Sequence, residues 1–166
     1  LEDYGVDVVM SGYSHTYERS YLIDGAYDTP TTAEGHIVDD GDGMSSGDGA
    51  YRKLPGMTPH DGTVYVVAGH GSGGGTSGVH PLMGFESGGA GSCVLQIEDS
   101  RLDFYNVLST GDIVDQFTIT KQPSADLDGD GIIGFNDLIL ILHGWGPCPS
   151  EGGCSADLDL DLLVGF

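Results

Sequence analysis

The chain has 166 residues, enough for one ordinary domain or for one small domain plus a module. Its 26 acidic residues against five basic ones give a formal charge of −21. That excludes nucleic acid as a partner, because phosphate neutralisation needs Lys and Arg, and it makes divalent cations, calcium first, the natural counter-charge.

Near the start, Val8, Val9 and Met10 read as a short buried strand that Ser11-Gly12 breaks. His15 then falls in a loop at the strand's carboxyl end, where open α/β sheets place ligand sites. Residues 20–27 are a short apolar patch closing on a turn at Asp24-Gly25. From 28 to 62 no periodicity survives, and residues 39–43 and 45–49 read as flexible acidic turns. A loop of that length is functional or poorly ordered.

Residues 63–68, rich in β-branched side chains, predict a strand. A loop with ten glycines between Gly69 and Gly91 follows. Three alternating strands over 93–98, 102–108 and 113–120, joined by short turns, predict an antiparallel meander. Residues 122–125, with Pro123, form a linker.

Beyond it the composition changes. Residues 1–121 hold all five bases with 18 acids, whereas residues 122–166 hold eight acids and no base. The stretch 124–135 recurs at 155–166, displaced by 31 residues, and residues 136–142 between them carry a helical signal that Gly144 and Gly146 end. Cys148 and Cys154 share a turn-rich loop and read as a disulfide in a secreted protein or as a soft-metal pair, while Cys93 reads as a buried core residue. No run approaches the roughly 18 apolar residues of a membrane span. A start at Leu1 without Met, and an end inside the second repeat, read as a fragment.

The repeat carries the sharper chemistry. Asp126, Asp128 and Asp130 stand at positions 1, 3 and 5 of a twelve-residue loop, Gly131 at position 6 and Asp137 at position 12, with the Ile132 carbonyl at position 7. Alternate carboxylates in a tight loop aim several hard oxygens at one Ca²⁺. The bland alternative is an acidic turn capping a helix. In the second repeat Asp157, Asp159 and Asp161 hold positions 1, 3 and 5, but Leu162 replaces the glycine. Residues 124–166 resemble the type I dockerin module, an EF-hand-like pair of calcium loops each followed by a helix. The resemblance implies a helical calcium module over 126–166 and a protein partner for it. Residues 10 and 11 of the first loop, through which dockerins bind cohesins, are Phe135 and Asn136 here.

Ser11-Gly12-Tyr13-Ser14-His15-Thr16-Tyr17-Glu18-Arg19, followed by the Tyr65-Val66-Val67 strand, a glycine-rich loop and a meander, resembles the last signature of the calcineurin-like metallophosphoesterases in their purple acid phosphatase branch. The resemblance implies that residues 1–121 are the C-terminal part of an α/β fold, a β-sandwich flanked by helices and mostly β in this segment. It implies phosphate monoester hydrolysis by a metal-activated hydroxide at a dinuclear centre, iron with zinc or manganese. His15 matches the second of two metal-binding histidines. Tyr13 stands in place of the first, where a phenolate can ligate a ferric ion. Glu18 and Arg19 match positions that fix the loop, as a salt bridge or around the ligands. The other family ligands lie upstream of Leu1.

The expected product is a secreted bacterial phosphoesterase, extracellular or at the cell surface, with a calcium-binding tail. The rival is a non-catalytic calcium-binding surface or scaffold protein on a degenerate phosphoesterase fold. Other signals fall away. Residues 69–74 match GxGxxG, but Gly75-Thr76-Ser77-Gly78 follows instead of a helix. His70 and His80 read as solvated loop residues, with lining of the substrate cleft as the alternative, and His36, His60 and His143 are assigned no role.

Overall fold

The computed structural model describes residues 1–27, 33–76, 78, 80–121, 125, 127, 133–148, 156–158 and 163–165. Two compact units divide the chain, Leu1–Lys121 and Gln122–Phe166.

The first unit is two β-sheets sharing a core. One sheet contains β1 (Val8–Ser11), β2 (Tyr17–Ile23), β3 (Ile37–Asp39), β5 (Thr63–Ala68) and β6 (Met83–Ser87), in the order β1-β5-β2-β3 with β6 also on β2. β1 and β5 are parallel, Val8 opposite Val64 and Ser11 opposite Val67, while β2 runs antiparallel to β5, β6 and β3. The other sheet runs β4 (Tyr51–Lys53), β9 (Ile113–Lys121), β8 (Arg101–Leu108) and β7 (Gly91–Glu98). Its β7-β8-β9 part is the predicted meander, and β4 is parallel to β9.

Alternation decides what the sheets bury. Tyr17, Leu22, Val64 and Val66 from one sheet meet Tyr51, Phe104, Phe117 and Ile119 from the other. Phe104 and Phe117, a cross-strand pair, stack with ring centroids 4.8 Å apart.

Arg19 sits inside this core, fully buried. Its Nε and Nη2 donate to Asp115 Oδ2 and Oδ1 at 2.7 and 2.9 Å, its Nη1 to the Tyr51 hydroxyl at 3.1 Å, and its Nη2 also to the Asp42 carbonyl at 3.0 Å. The guanidinium lies 3.7 Å from the Phe85 ring centroid. The Tyr17 hydroxyl donates to Asp115 Oδ2 at 2.5 Å. Burial pushes the Tyr17 phenol far above its usual range, with Asp115 adding to the effect, and burial pushes Tyr51 up to about 12. One polar network therefore joins the sheets at their centre.

Several expectations need correction. β1 is a strand but not a buried one: it lies at the sheet edge, and Met10 is 44% exposed. The predicted loop over 28–62 contains β3 and β4, and the glycine-rich loop contains β6. The acidic turns are held by their own carboxylates. Asp39 Oδ1 accepts the Gly41 N–H at 2.9 Å, Asp42 Oδ1 the Met44 N–H at 2.7 Å, and Asp48 the Asp42 N–H at 3.0 Å. Cys93 is half-buried rather than fully buried. No α-helix flanks the sheets among the described residues of this unit, where a 3-10 turn, Glu2–Tyr4, is the helical element.

The second unit contains one helix, α1 (Phe135–His143), and a two-residue antiparallel ladder between β10 (Gly146–Pro147) and β11 (Leu163–Val164). The helix starts at the extended Gly134. Asp137, 2% exposed, accepts the Gly134 N–H at 2.6 Å through one oxygen and the Leu127 N–H at 2.6 Å through the other. The expected second loop–helix repeat is represented among the described residues by β11 and no second helix.

Candidate functional site

β1 and β5 run in parallel, so the loops that leave them, residues 12–16 and 69–75, lie at the same end of the sheet. The two loops meet backbone to backbone. The Gly69 N–H donates to the Thr16 carbonyl at 3.0 Å and the Gly75 N–H to the His15 carbonyl at 3.2 Å. A Cβ at Gly69 would sit 1.7 Å from the Ser14 carbonyl oxygen, and one at Gly74 2.4 Å from that of His15. These glycines are there because the loops approach too closely for any side chain.

On this support Tyr13 and His15 face solvent, Tyr13 fully exposed. Tyr13 holds a left-handed backbone, φ 76°, which is unfavourable for an aromatic residue by about 1–3 kcal/mol. Thr16 donates its hydroxyl to Glu18 Oε1 at 2.8 Å, which ties the loop to the start of β2. Glu18 and Arg19 point to opposite faces of that strand and form no ion pair with each other. The partner of Arg19 is Asp115.

His70 was expected in solvent and is instead 1% exposed. Its Nε2 lies 2.8 Å from Asn106 Oδ1, and Asn106 Nδ2 donates to Ser87 Oγ at 3.0 Å. An amide oxygen only accepts, so Nε2 carries the proton, and among the described residues the buried Nδ1 has no hydrogen-bond partner. The ring meets Tyr17 edge to face at 5.3 Å. His70 thus closes the underside of the glycine loop onto the meander. Sequence reading missed it because Asn106 lies 36 positions away. His80 Nδ1 accepts the Leu82 N–H at 3.2 Å, a local turn.

The donor set is thin for a metal. Among the described residues no three His, Cys, Asp or Glu side chains gather so as to hold an ion. Tyr13 and His15 alone cannot enclose one, and any centre at this loop needs donors from outside the described residues. In the second unit Asp126, Asp128, Asp130, Ile132, Asp159 and Asp161 lie outside the described residues. Asp137 is the buried cap described above, and Asp157 is 3% exposed. Cys148 is disulfide-bonded, and Cys93 is a free thiol.

No protein-family model matches the chain, and no curated protein matches it. Among solved structures it is similar to a purple acid phosphatase isolated from yellow lupin (Lupinus luteus) seeds, at 22% identity over 69% of this chain, with a TM-score of 0.45. The chain spans 18% of the length of that phosphatase.

Proposed function

We propose that residues 1–121 form one wall of a metal-dependent phosphoesterase site, with His15 as a metal ligand and Tyr13 beside it. The observation that carries this reading is the exposed pair on a strained loop. Tyr13, at φ 76°, and His15 project at the carboxyl end of a parallel strand pair, held by a loop whose glycines serve its backbone. Backbone strain of this kind persists where the surroundings over-determine it, and ligand sites are where such strain concentrates. A bound metal pair would supply the Lewis acidity that phosphate ester hydrolysis needs. Glu18 holds Thr16 and so positions the loop. Arg19 and Asp115 hold the strand that follows it.

The test uses the protein that carries this sequence together with its remaining ligands. Metal content and turnover of a chromogenic phosphate ester are measured on the purified protein and on His15→Ala. Two metals per chain and turnover, both lost in the variant without loss of folded structure, are expected. One metal or none, with no turnover, overturns the reading.

A second reading, a non-catalytic calcium-binding surface protein, is favoured by Tyr13, which stands where the resembled family has its first metal-binding histidine. Both readings include a calcium loop over 126–137. The burial of Asp137 and its bond to the Leu127 N–H support that loop, because they bring the loop's start to the head of α1. Ca²⁺ is expected to raise the helical circular dichroism of the tail and Asp126→Ala to abolish the response. Spectra unchanged by EDTA count against it.

A further inference from the structure

A buried polar side chain is explained by what it bonds. His70 is 1% exposed, and among the described residues its Nδ1 has no hydrogen-bond partner. A phenylalanine would fill much the same space without leaving a polar atom unpaired. What the histidine adds is the Nε2–H, which Asn106 Oδ1 accepts at 2.8 Å. Asn106 is fully buried on β8, and its Nδ2 donates to Ser87 Oγ at 3.0 Å, so the amide is held with its oxygen toward the ring.

That bond anchors a segment with few side chains to hold its shape. Five of residues 69–75 are glycine and Ser72 is exposed, so His70 is the buried side chain that ties them to the sheets. The two ends of the segment carry the His15 loop: the Gly69 N–H donates to the Thr16 carbonyl at 3.0 Å and the Gly75 N–H to the His15 carbonyl at 3.2 Å. Between them the His70 carbonyl accepts the Gly73 and Gly91 N–H groups, each at 3.1 Å, which draws the segment onto the start of β7. The ring also meets Tyr17 edge to face, two residues beyond His15.

We propose that His70 is the positioning residue of the His15 loop. Its bond to Asn106 fixes the glycine segment on the meander, and the two ends of that segment fix the backbone of His15 and Thr16. His70 touches no ligand; it acts through His15, as groups that orient a metal ligand from behind change affinity without contacting the ion. That the positioned group is a metal ligand rests on the phosphoesterase reading, whereas the hold of His70 on the loop does not.

Two substitutions separate the N–H from the volume. His70→Phe keeps a ring against Tyr17 and removes the N–H, while His70→Gln gives up the ring and places an amide N–H near the position of Nε2. In the metal-free full chain, amide exchange at Gly69 and Gly75 is expected to quicken about tenfold in His70→Phe, measured against Phe104 in the core. His70→Gln is expected to restore most of the protection. In the protein that carries this sequence together with its remaining ligands, His70→Phe is expected to weaken metal binding about tenfold or more, and His70→Gln to recover it. Arg19→Lys, which loosens the core at Asp115, is the structural control and is expected to lower the urea midpoint without that loss of metal. Exchange at Gly69 and Gly75 unchanged in His70→Phe, or not restored in His70→Gln, overturns the proposal. So does a loss of metal that is equal in His70→Phe and Arg19→Lys. An unsubstituted protein that holds no metal overturns the phosphoesterase reading instead, with exchange still deciding the role of His70. If His70→Phe does not fold, Ser87→Ala, which frees the Asn106 amide to turn, is measured in its place under the same exchange criterion.

Discussion

Replacing Arg19 by Met should be among the most damaging single changes in the first unit. The guanidinium makes two bonds to Asp115, one to Tyr51 and one to the Asp42 carbonyl, and it lies on the Phe85 ring. Methionine fills part of the volume but leaves the Asp115 carboxylate buried, with the Tyr17 hydroxyl as its remaining side-chain partner at 2.5 Å. Stranding one member of a buried ion pair costs about 3–5 kcal/mol, a large share of the 5–15 kcal/mol by which domains are typically stable. With a urea slope of about 1–3 kcal/mol per molar, the midpoint should fall by roughly 2 M. Tyrosine near-UV dichroism is the appropriate signal, because Trp145 belongs to the other unit and a mixed signal would not be two-state. The compensating test replaces Asp115 by Leu and Tyr17 by Phe in the same chain, removing the stranded carboxylate and the hydroxyl that would otherwise lose its acceptor. Buried ion pairs replaced whole by apolar groups are often neutral, so the triple variant should recover most of the loss. A cost below about 1 kcal/mol for Arg19→Met, or a triple variant no more stable than the single one, would refute the argument that the network is a coupled buried pair.

Gly69→Ala places a Cβ 1.7 Å from the Ser14 carbonyl oxygen, so the loop over residues 12–16 must move. A loss of about 1–3 kcal/mol is expected, with faster amide exchange at Gly69, whose N–H bonds Thr16; unchanged exchange would contradict it. His60 lies between Asp24, 3.0 Å from Nδ1, and Asp3, 3.1 Å from Nε2, and only the imidazolium donates to both. The hydrogen bond and charge of Asp24 raise its pKa. Its support is therefore full below about pH 6.5 and is lost as pH rises through the raised folded value. A ring-proton NMR titration should give a midpoint above the free-histidine value that Asp24→Asn lowers. Asp103 has the opposite sign. Hydrogen bonds from Arg101 hold its carboxyl below the usual range, so its support is present above about pH 3.9 and fades as pH falls through the depressed value. Arg101→Gln should move acid unfolding to higher pH, and an unmoved acid midpoint would count against that coupling.

What could be read from the sequence follows the range of the forces involved. Residues 63–68 and the three strands of the meander declare themselves because alternation and β-branching act over a few neighbours. The helical signal over 136–142 became α1, Phe135–His143, for the same reason. β6 was hidden by Gly84, where a Cβ would come within 2.7 Å of the Tyr21 ring, so a close approach across the sheet put a strand-breaking residue inside a strand. β3 and β4 are three residues each, too short to show a period. The burial of Arg19 was illegible because its partner Asp115 is 96 positions away. For the candidate site, Gly12 signals that the chain leaves the sheet before Tyr13 and His15. The close packing of residues 69–75 beneath them is a tertiary fact with no local signature.

The stretch from Tyr13 to Arg19 reads in sequence as one motif and divides in space into two parts. Tyr13 and His15 face solvent on a strained loop, while Tyr17 and Arg19, two residues farther on, are fully buried and bonded to Asp115. The alternation of β2 makes the division, since Tyr17 and Arg19 share its inward face and Glu18 takes the other. Substitutions at the two ends should therefore separate cleanly. His15→Ala and Tyr13→Phe remove exposed side chains, so the urea midpoint of the metal-free protein should stay within measurement error, while any metal held by this loop, and the stability its binding adds, is lost. Arg19→Lys keeps the charge but loses the two-pronged bond to Asp115, so the midpoint should fall even in a protein that still retains its metal. Were His15→Ala to destabilise the metal-free fold as much as Arg19→Lys, the exposed end would be structural, and the case for a ligand at His15 would fail with it.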